Sequence, residues 1–111
     1  VKTYPARLVA LLETEPDWSK LISADFQIGD VVIFRVDDGS RRIFFRCACA
    51  FGRHEVPLKP YAFEPAWDLV SVDPPHIEPS LLTKGNTWVC HLFLRAGQLQ
   101  ILDDTRPFPN E

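Results

Sequence analysis

By residue type, Cys47-Ala48-Cys49 and Cys90-His91 are the groups in this 111-residue chain best suited to chemistry. Thiolates and imidazoles ligate zinc, and a thiolate beside an imidazole is a nucleophile with its base. The spacing argues against a metal. Structural zinc sites use cysteine pairs roughly two to four residues apart on a turn, where both sulfurs converge. A Cys-x-Cys pair inside a strand sends both thiols into a core, and neighbours such as Cys90 and His91 face opposite sides of a sheet. Three cysteines, an odd number, do not make a disulfide framework. They read as free thiols packed like small hydrophobes in a reducing, cytoplasmic setting, with no metal and no cofactor.

Thiol catalysis would pair Cys49 with His54 or Cys90 with His76, and neither pair lies in a recognisable motif. The chain has no Gly-x-Ser-x-Gly elbow, no His-Glu-x-x-His, no phosphate-binding glycine loop and no dinucleotide fingerprint. His54, His76 and His91 are therefore assigned to surface or rim positions. Asp37-Asp38 and Asp103-Asp104 fall at turns, where short acidic side chains satisfy local backbone donors. No spaced ligand loop accompanies them to suggest calcium. No catalytic residue emerges, and the expectation is a protein that is not an enzyme.

Two hairpins must position these groups. Apolar runs at 31–36 and 43–51 flank Asp37-Asp38-Gly39-Ser40, and Asp-Gly supplies the positive φ angles of a tight turn. With Asp38-Gly39 as a two-residue loop, Phe34 faces Ile43 and Val32 faces Phe45. Val32, Phe34, Val36, Ile43, Phe45, Cys47, Cys49 and Phe51 then share a core face. The reverse face carries Val31, Ile33, Arg35, Arg42, Phe44, Arg46 and Ala48. A second hairpin joins 88–95 to 98–102 through Ala96-Gly97, setting Leu94 against Leu99 and Leu92 against Ile101, with Trp88 and Cys90 on the same core face.

Before the first hairpin, Leu8, Val9, Leu11 and Leu12 predict a short helix over about 6–13. Asp17 caps a second turn holding Trp18, Leu21 and Ile22. Between the hairpins, prolines at 57, 60, 65, 74, 75 and 79 forbid a long helix and leave a strand only at 67–72. Residues 79–84 predict a helical turn closed by Gly85, and the tail from Arg106 onward is extended. The expected fold is α+β, with short N-terminal helices packed on a curved antiparallel sheet of two hairpins.

The segment Phe26-Gln27-Ile28-Gly29-Asp30-Val31-Val32-Ile33-Phe34, followed by the Asp-Gly turn, resembles the opening hairpin of small SH3-like barrels. It is also loosely similar to the first hairpin of some bacterial toxin-immunity proteins. The resemblance implies a sheet rolled into a partly open SH3-like barrel. It transfers no functional residues.

A 46% hydrophobic content in 111 residues suffices for one domain over 1–111 with its own core. A net charge of −3 gives no global basic field to draw in nucleic acid or a membrane. With Val1-Lys2-Thr3-Tyr4-Pro5 lacking a signal-peptide core and no long apolar run, neither a secretory address nor a transmembrane helix is expected. Two surfaces remain as binding candidates. One is Arg35, Arg42, Phe44 and Arg46 on the reverse face, where Arg35 opposite Arg42 requires a negative partner: an acidic protein, single-stranded nucleic acid, or carboxylates of the chain itself. The other is Tyr61, Phe63 and Trp67 among prolines, which suits either a recognition loop or a cover over an open barrel end. The leading expectation is a protein-binding domain that regulates or neutralises a partner protein, as immunity and inhibitor proteins do. A single-stranded nucleic-acid module and a small-molecule binder or cysteine-dependent enzyme are the alternatives.

Overall fold

The structure, a computed structural model, describes residues 1–21 and 25–107. Its elements are β1 (Lys2–Pro5), β2 (Arg7–Leu12), α1 (Trp18–Leu21), β3 (Asp30–Arg35), β4 (Arg41–Arg46), β5 (Arg53–Leu58), β6 (Asp68–Ser71), β7 (His76–Glu78), β8 (Leu81–Lys84), β9 (Trp88–Arg95), β10 (Gln98–Ile101) and β11 (Arg106–Pro107). They form three sheets. One runs β2-β3-β4-β5, a second is built on β9, which pairs with β8, β10 and β11 while β1 extends from β10, and β6-β7 is a two-stranded ribbon.

The expected α+β fold on a single curved sheet is therefore corrected to a nearly all-β fold of several sheets. Where a helix was expected over 6–13, β2 runs parallel to β3. Leu8, Ala10 and Leu12 are its half-buried positions, and Val9 and Leu11 are exposed. A run with leucines at both 8 and 12 fits a helical stripe as well as a strand, and pairing with β3 decides it. The chain reaches β2 by switching sheets at Ala6, whose N–H bonds Gly97 while that of Arg7 bonds Gly29. Of the second helix only the single turn α1 is present, with the Leu21 N–H bonding the Asp17 carbonyl. The expectation for Ile22 lies outside the described residues, as does that for the tail beyond Pro107.

The first hairpin exists in a different register. Ile33 faces Ile43, Phe34 faces Arg42 and Arg35 faces Arg41. The loop is longer than two residues, closed by Val36 N–H to Ser40 and Gly39 N–H to Val36. This one-residue slip exchanges the faces of β3, bringing Val31 and Ile33 rather than Val32 and Phe34 beside Ile43 and Phe45, which keep their expected side. Val31, Ile33, Ile43 and Phe45 enter the main core with Leu92, Leu94, Leu99 and Cys90 from the other sheet and Ile77 from the ribbon. Val32, Phe34 and Phe44 form a second core with Phe26, against which Trp18 packs. Both faces of this sheet are covered, which is why its strands read as continuous apolar runs rather than alternation.

The second hairpin has the expected register, Leu94 to Leu99 and Leu92 to Ile101. Ala96 and Gly97 take φ values of 52° and 75°, the pair of positive angles that a tight turn of this twist needs. The expected helical turn at 79–84 is instead β8, antiparallel to β9. The strand expected at 67–72 is β6.

Candidate active site

β8 and β9 bring together three residues that the sequence left apart. Leu82 on β8 lies directly across from His91 on β9. Opposed residues share a face, and so do residues two apart on one strand, so the Ser80 side chain, just before β8, rises on the same side as the His91 ring. Ser80 Oγ lies 3.0 Å from His91 Nε2. On the other side of the ring, Nδ1 lies 2.9 Å and 3.1 Å from the two carboxylate oxygens of Asp104.

This order of hydroxyl, imidazole and carboxylate is a relay. An ionised carboxylate only accepts, so Nδ1 carries the proton donated to Asp104 and Nε2 is left to accept from the Ser80 hydroxyl. Each member is held in place. The Ser80 carbonyl accepts the indole N–H of Trp67 at 3.4 Å. The Thr105 hydroxyl accepts from the His91 N–H at 2.9 Å and donates to the His91 carbonyl at 3.0 Å. The turn bearing Asp104 is thus tied to the backbone of the histidine it orients, and Leu102 N–H to the His91 carbonyl closes the same link. His91 is three-quarters covered while Asp104 stays over half exposed, which places the relay at the surface.

A second cluster lies behind the first. Cys47 and Cys90 sulfurs are 3.9 Å apart, and His54 Nε2 lies 3.4 Å from Cys49 and 3.5 Å from Cys90. Hydrogen bonds from Cys47 and then Cys90 hold the Cys49 thiol below the ordinary range. Those from Cys47 and Cys49 push Cys90 up, and Cys47, bonded to Cys49, is raised to about 11. The Cys49–His54 pairing weighed for thiol catalysis is present inside a larger group, and His54, expected at the surface or rim, is buried. Cys90 meets His54 rather than His76, which bonds Glu78 at 2.8 Å.

The arginine surface is satisfied within the chain. Arg35 bonds Glu13 and the Gly39 carbonyl, Arg42 bonds Glu55 at 2.6 Å, and Arg46 bonds the Phe26 carbonyl. Phe44 is buried in the second core. Tyr61 and Phe63 meet edge to face, with Phe63 exposed, while Trp67 is buried and serves as the Ser80 support. None of the seven expected binding residues belongs to the relay itself. In the sequence Ser80 carries no motif, His91 reads as a surface or rim residue and Asp104 as a turn residue. The available signal was the outward position of His91 on a strand whose Leu92 and Leu94 face in.

A β-domain with a Ser-His-Asp relay on an open sheet face has the equipment of a serine hydrolase. A family model described as BubE, bacterial ubiquitination-like system serine protease, matches residues 18–102, and the chain belongs to that family. The matched span contains Ser80 and His91 and ends just before Asp104. No curated protein and no solved structure matches the chain. The family assignment overturns the expectation of a non-enzymatic protein, because the family is one of proteases. No helix among the described residues is long and apolar enough to cross a membrane.

Proposed function

We propose that the chain is a serine protease whose nucleophile is Ser80, general base His91 and orienting acid Asp104, cutting peptide or isopeptide bonds made in a bacterial ubiquitination-like system. The observation that carries this is the unbroken contact chain from Ser80 Oγ through both ring nitrogens of His91 to Asp104. In the acylation step Ser80 Oγ attacks the scissile carbonyl carbon while its proton passes to His91 Nε2. The imidazolium so formed is stabilised by Asp104. The tetrahedral intermediate collapses, the amine leaves with the proton from Nε2, and an ester remains on Ser80. Water, deprotonated by the same nitrogen, then cleaves the ester to a carboxylate and restores the hydroxyl.

Family membership supports the protease chemistry, and the exposed setting of the relay suits a macromolecular substrate presenting an extended tail. Leu82, exposed on the same face beside His91, supplies an apolar contact for that tail. A fluorophosphonate probe tests the assignment. One adduct is expected on the wild-type chain, mapping to Ser80 by peptide mass spectrometry, absent in Ser80→Ala and strongly slowed in His91→Ala. An adduct on another serine, or none, rejects the reading.

A further inference from the structure

Cys47, Cys49, His54 and Cys90 each offer one ligand atom, and these four atoms all lie within 4.8 Å of one another. Their spacings have a recognisable origin. Around a tetrahedral zinc ion with bonds of about 2.3 Å to sulfur and about 2.0–2.1 Å to nitrogen, sulfur–sulfur edges are about 3.8 Å and sulfur–nitrogen edges about 3.5 Å. The chain shows 3.9 Å between Cys47 and Cys90, and 3.4 and 3.5 Å from His54 Nε2 to Cys49 and Cys90. These three spacings match edges of a zinc tetrahedron, and all four donors lie within 4.8 Å of one another.

The local backbone explains how a Cys-x-Cys pair converges. β4 ends at Arg46, so both cysteines sit on a turn rather than in a strand. That turn is closed by Cys47 N–H to the Gly52 carbonyl and Gly52 N–H to the Cys49 carbonyl. The Cys49 N–H points at Cys47 Sγ, 3.4 Å away, a donor suited to a thiolate. His54 follows on β5, with its other nitrogen, Nδ1, 3.5 Å from the Thr83 hydroxyl. That contact to a neighbouring side chain is the kind that fixes the tautomer leaving Nε2 for a metal. Cys90 completes the set from β9, so the cluster joins the two large sheets.

We propose that these four residues bind one zinc ion in a closed structural site. Three soft thiolates and one imidazole suit zinc, and four protein ligands leave no position for a substrate. The role is to lock the 47–52 turn to β9, and the site stands independently of which residue is the nucleophile.

Elemental analysis of the full chain purified without added metal is expected to give one zinc per chain. Titrating the thiols with a mercurial should release it, and replacing it with cobalt should give the intense visible bands of a tetrahedral sulfur-rich site. Cys49→Ser, at a partly exposed position, should keep its far-ultraviolet circular dichroism at low temperature and lose the metal. Thr83→Val, which keeps all four ligands, should weaken zinc affinity roughly 10- to 100-fold. Folded wild-type protein without tightly bound metal overturns the proposal, as does a Cys47–Cys90 disulfide in the freshly purified chain.

Discussion

Cys90 and His91 are consecutive on β9 and serve opposite faces of the sheet: the Cys90 sulfur lies 3.5 Å from His54, and the His91 ring bridges Ser80 and Asp104. The strand alternation that separates the two side chains also couples them mechanically, since one peptide unit fixes both. A rigid anchor on the inner face limits the drift of the imidazole on the outer face. Productive geometry of a nucleophile–base pair tolerates only small displacements, so a base is best carried on a strand tied down from behind.

Ser80→Ala and His91→Ala are each expected to lower kcat/KM by at least about a thousandfold on any substrate the chain cleaves, and the double variant should be little worse than either alone. Such non-additivity follows because the hydroxyl without its base, or the base without its hydroxyl, performs no step. Asp104→Asn should cost roughly 10²–10⁴ in kcat, because an amide in place of the carboxylate no longer favours a proton on Nδ1. Steady-state kinetics on the three singles and the double checks this. Additive losses would mean that Ser80 and His91 act apart.

Thr105→Val removes the hydroxyl that bonds both the N–H and the carbonyl of His91. Leaving these part-buried groups without that partner should cost about 1–3 kcal/mol of stability. It should also lower kcat at a temperature where the variant remains folded, because Asp104 is the preceding residue. Thr105→Ser, which keeps the hydroxyl and loses a methyl, should restore kcat. A loss of kcat in Thr105→Ser with Thr105→Val spared would show that the methyl group, through packing, is what matters.

The second hairpin was legible in the sequence to the residue, because Ala96-Gly97 is a two-residue turn and Leu92, Leu94, Leu99 and Ile101 alternate cleanly. The first was legible as a hairpin only. Its strands are apolar on both faces, so periodicity cannot choose a register, and the longer loop turned the side chains of β3 over while those of β4 kept their expected faces. β2 reads as a helix in isolation because its partner, β3, is remote in sequence and supplies the ladder. The relay was illegible for a related reason. Ser80, His91 and Asp104 converge through strand pairing and a hydroxyl clamp, neither of which leaves a motif. The thiol cluster is half legible: the cysteines stand out by type, but the apolar run continues past Arg46, where β4 ends, and so masks the turn that lets Cys47 and Cys49 converge.

Leu82 is 57% exposed while paired with His91, and the proposed protease reading gives it a contact with the substrate tail. Burying a leucine is worth roughly 1.5–3 kcal/mol, so Leu82→Ser should raise KM about tenfold or more with kcat nearly unchanged. Its melting temperature should move little, since an exposed side chain contributes little to folding. The split between KM and kcat is the diagnostic. A fall in kcat with KM constant would place Leu82 in positioning His91 rather than in binding.

Phe34 is fully buried in the second core, where the Trp18 ring meets it edge-on at 5.3 Å. Phe34→Ala should cost about 3–5 kcal/mol, a large share of the roughly 5–15 kcal/mol that holds a domain of this kind together. The urea midpoint should fall accordingly. The second core, however, lies across the β2–β5 sheet from the main core that touches β9. Activity per folded molecule should therefore be retained at low temperature. A kcat that falls further than the folded fraction would mean that the packing of Trp18 and Phe34 reaches the relay through the sheet, and that the two cores work as one body.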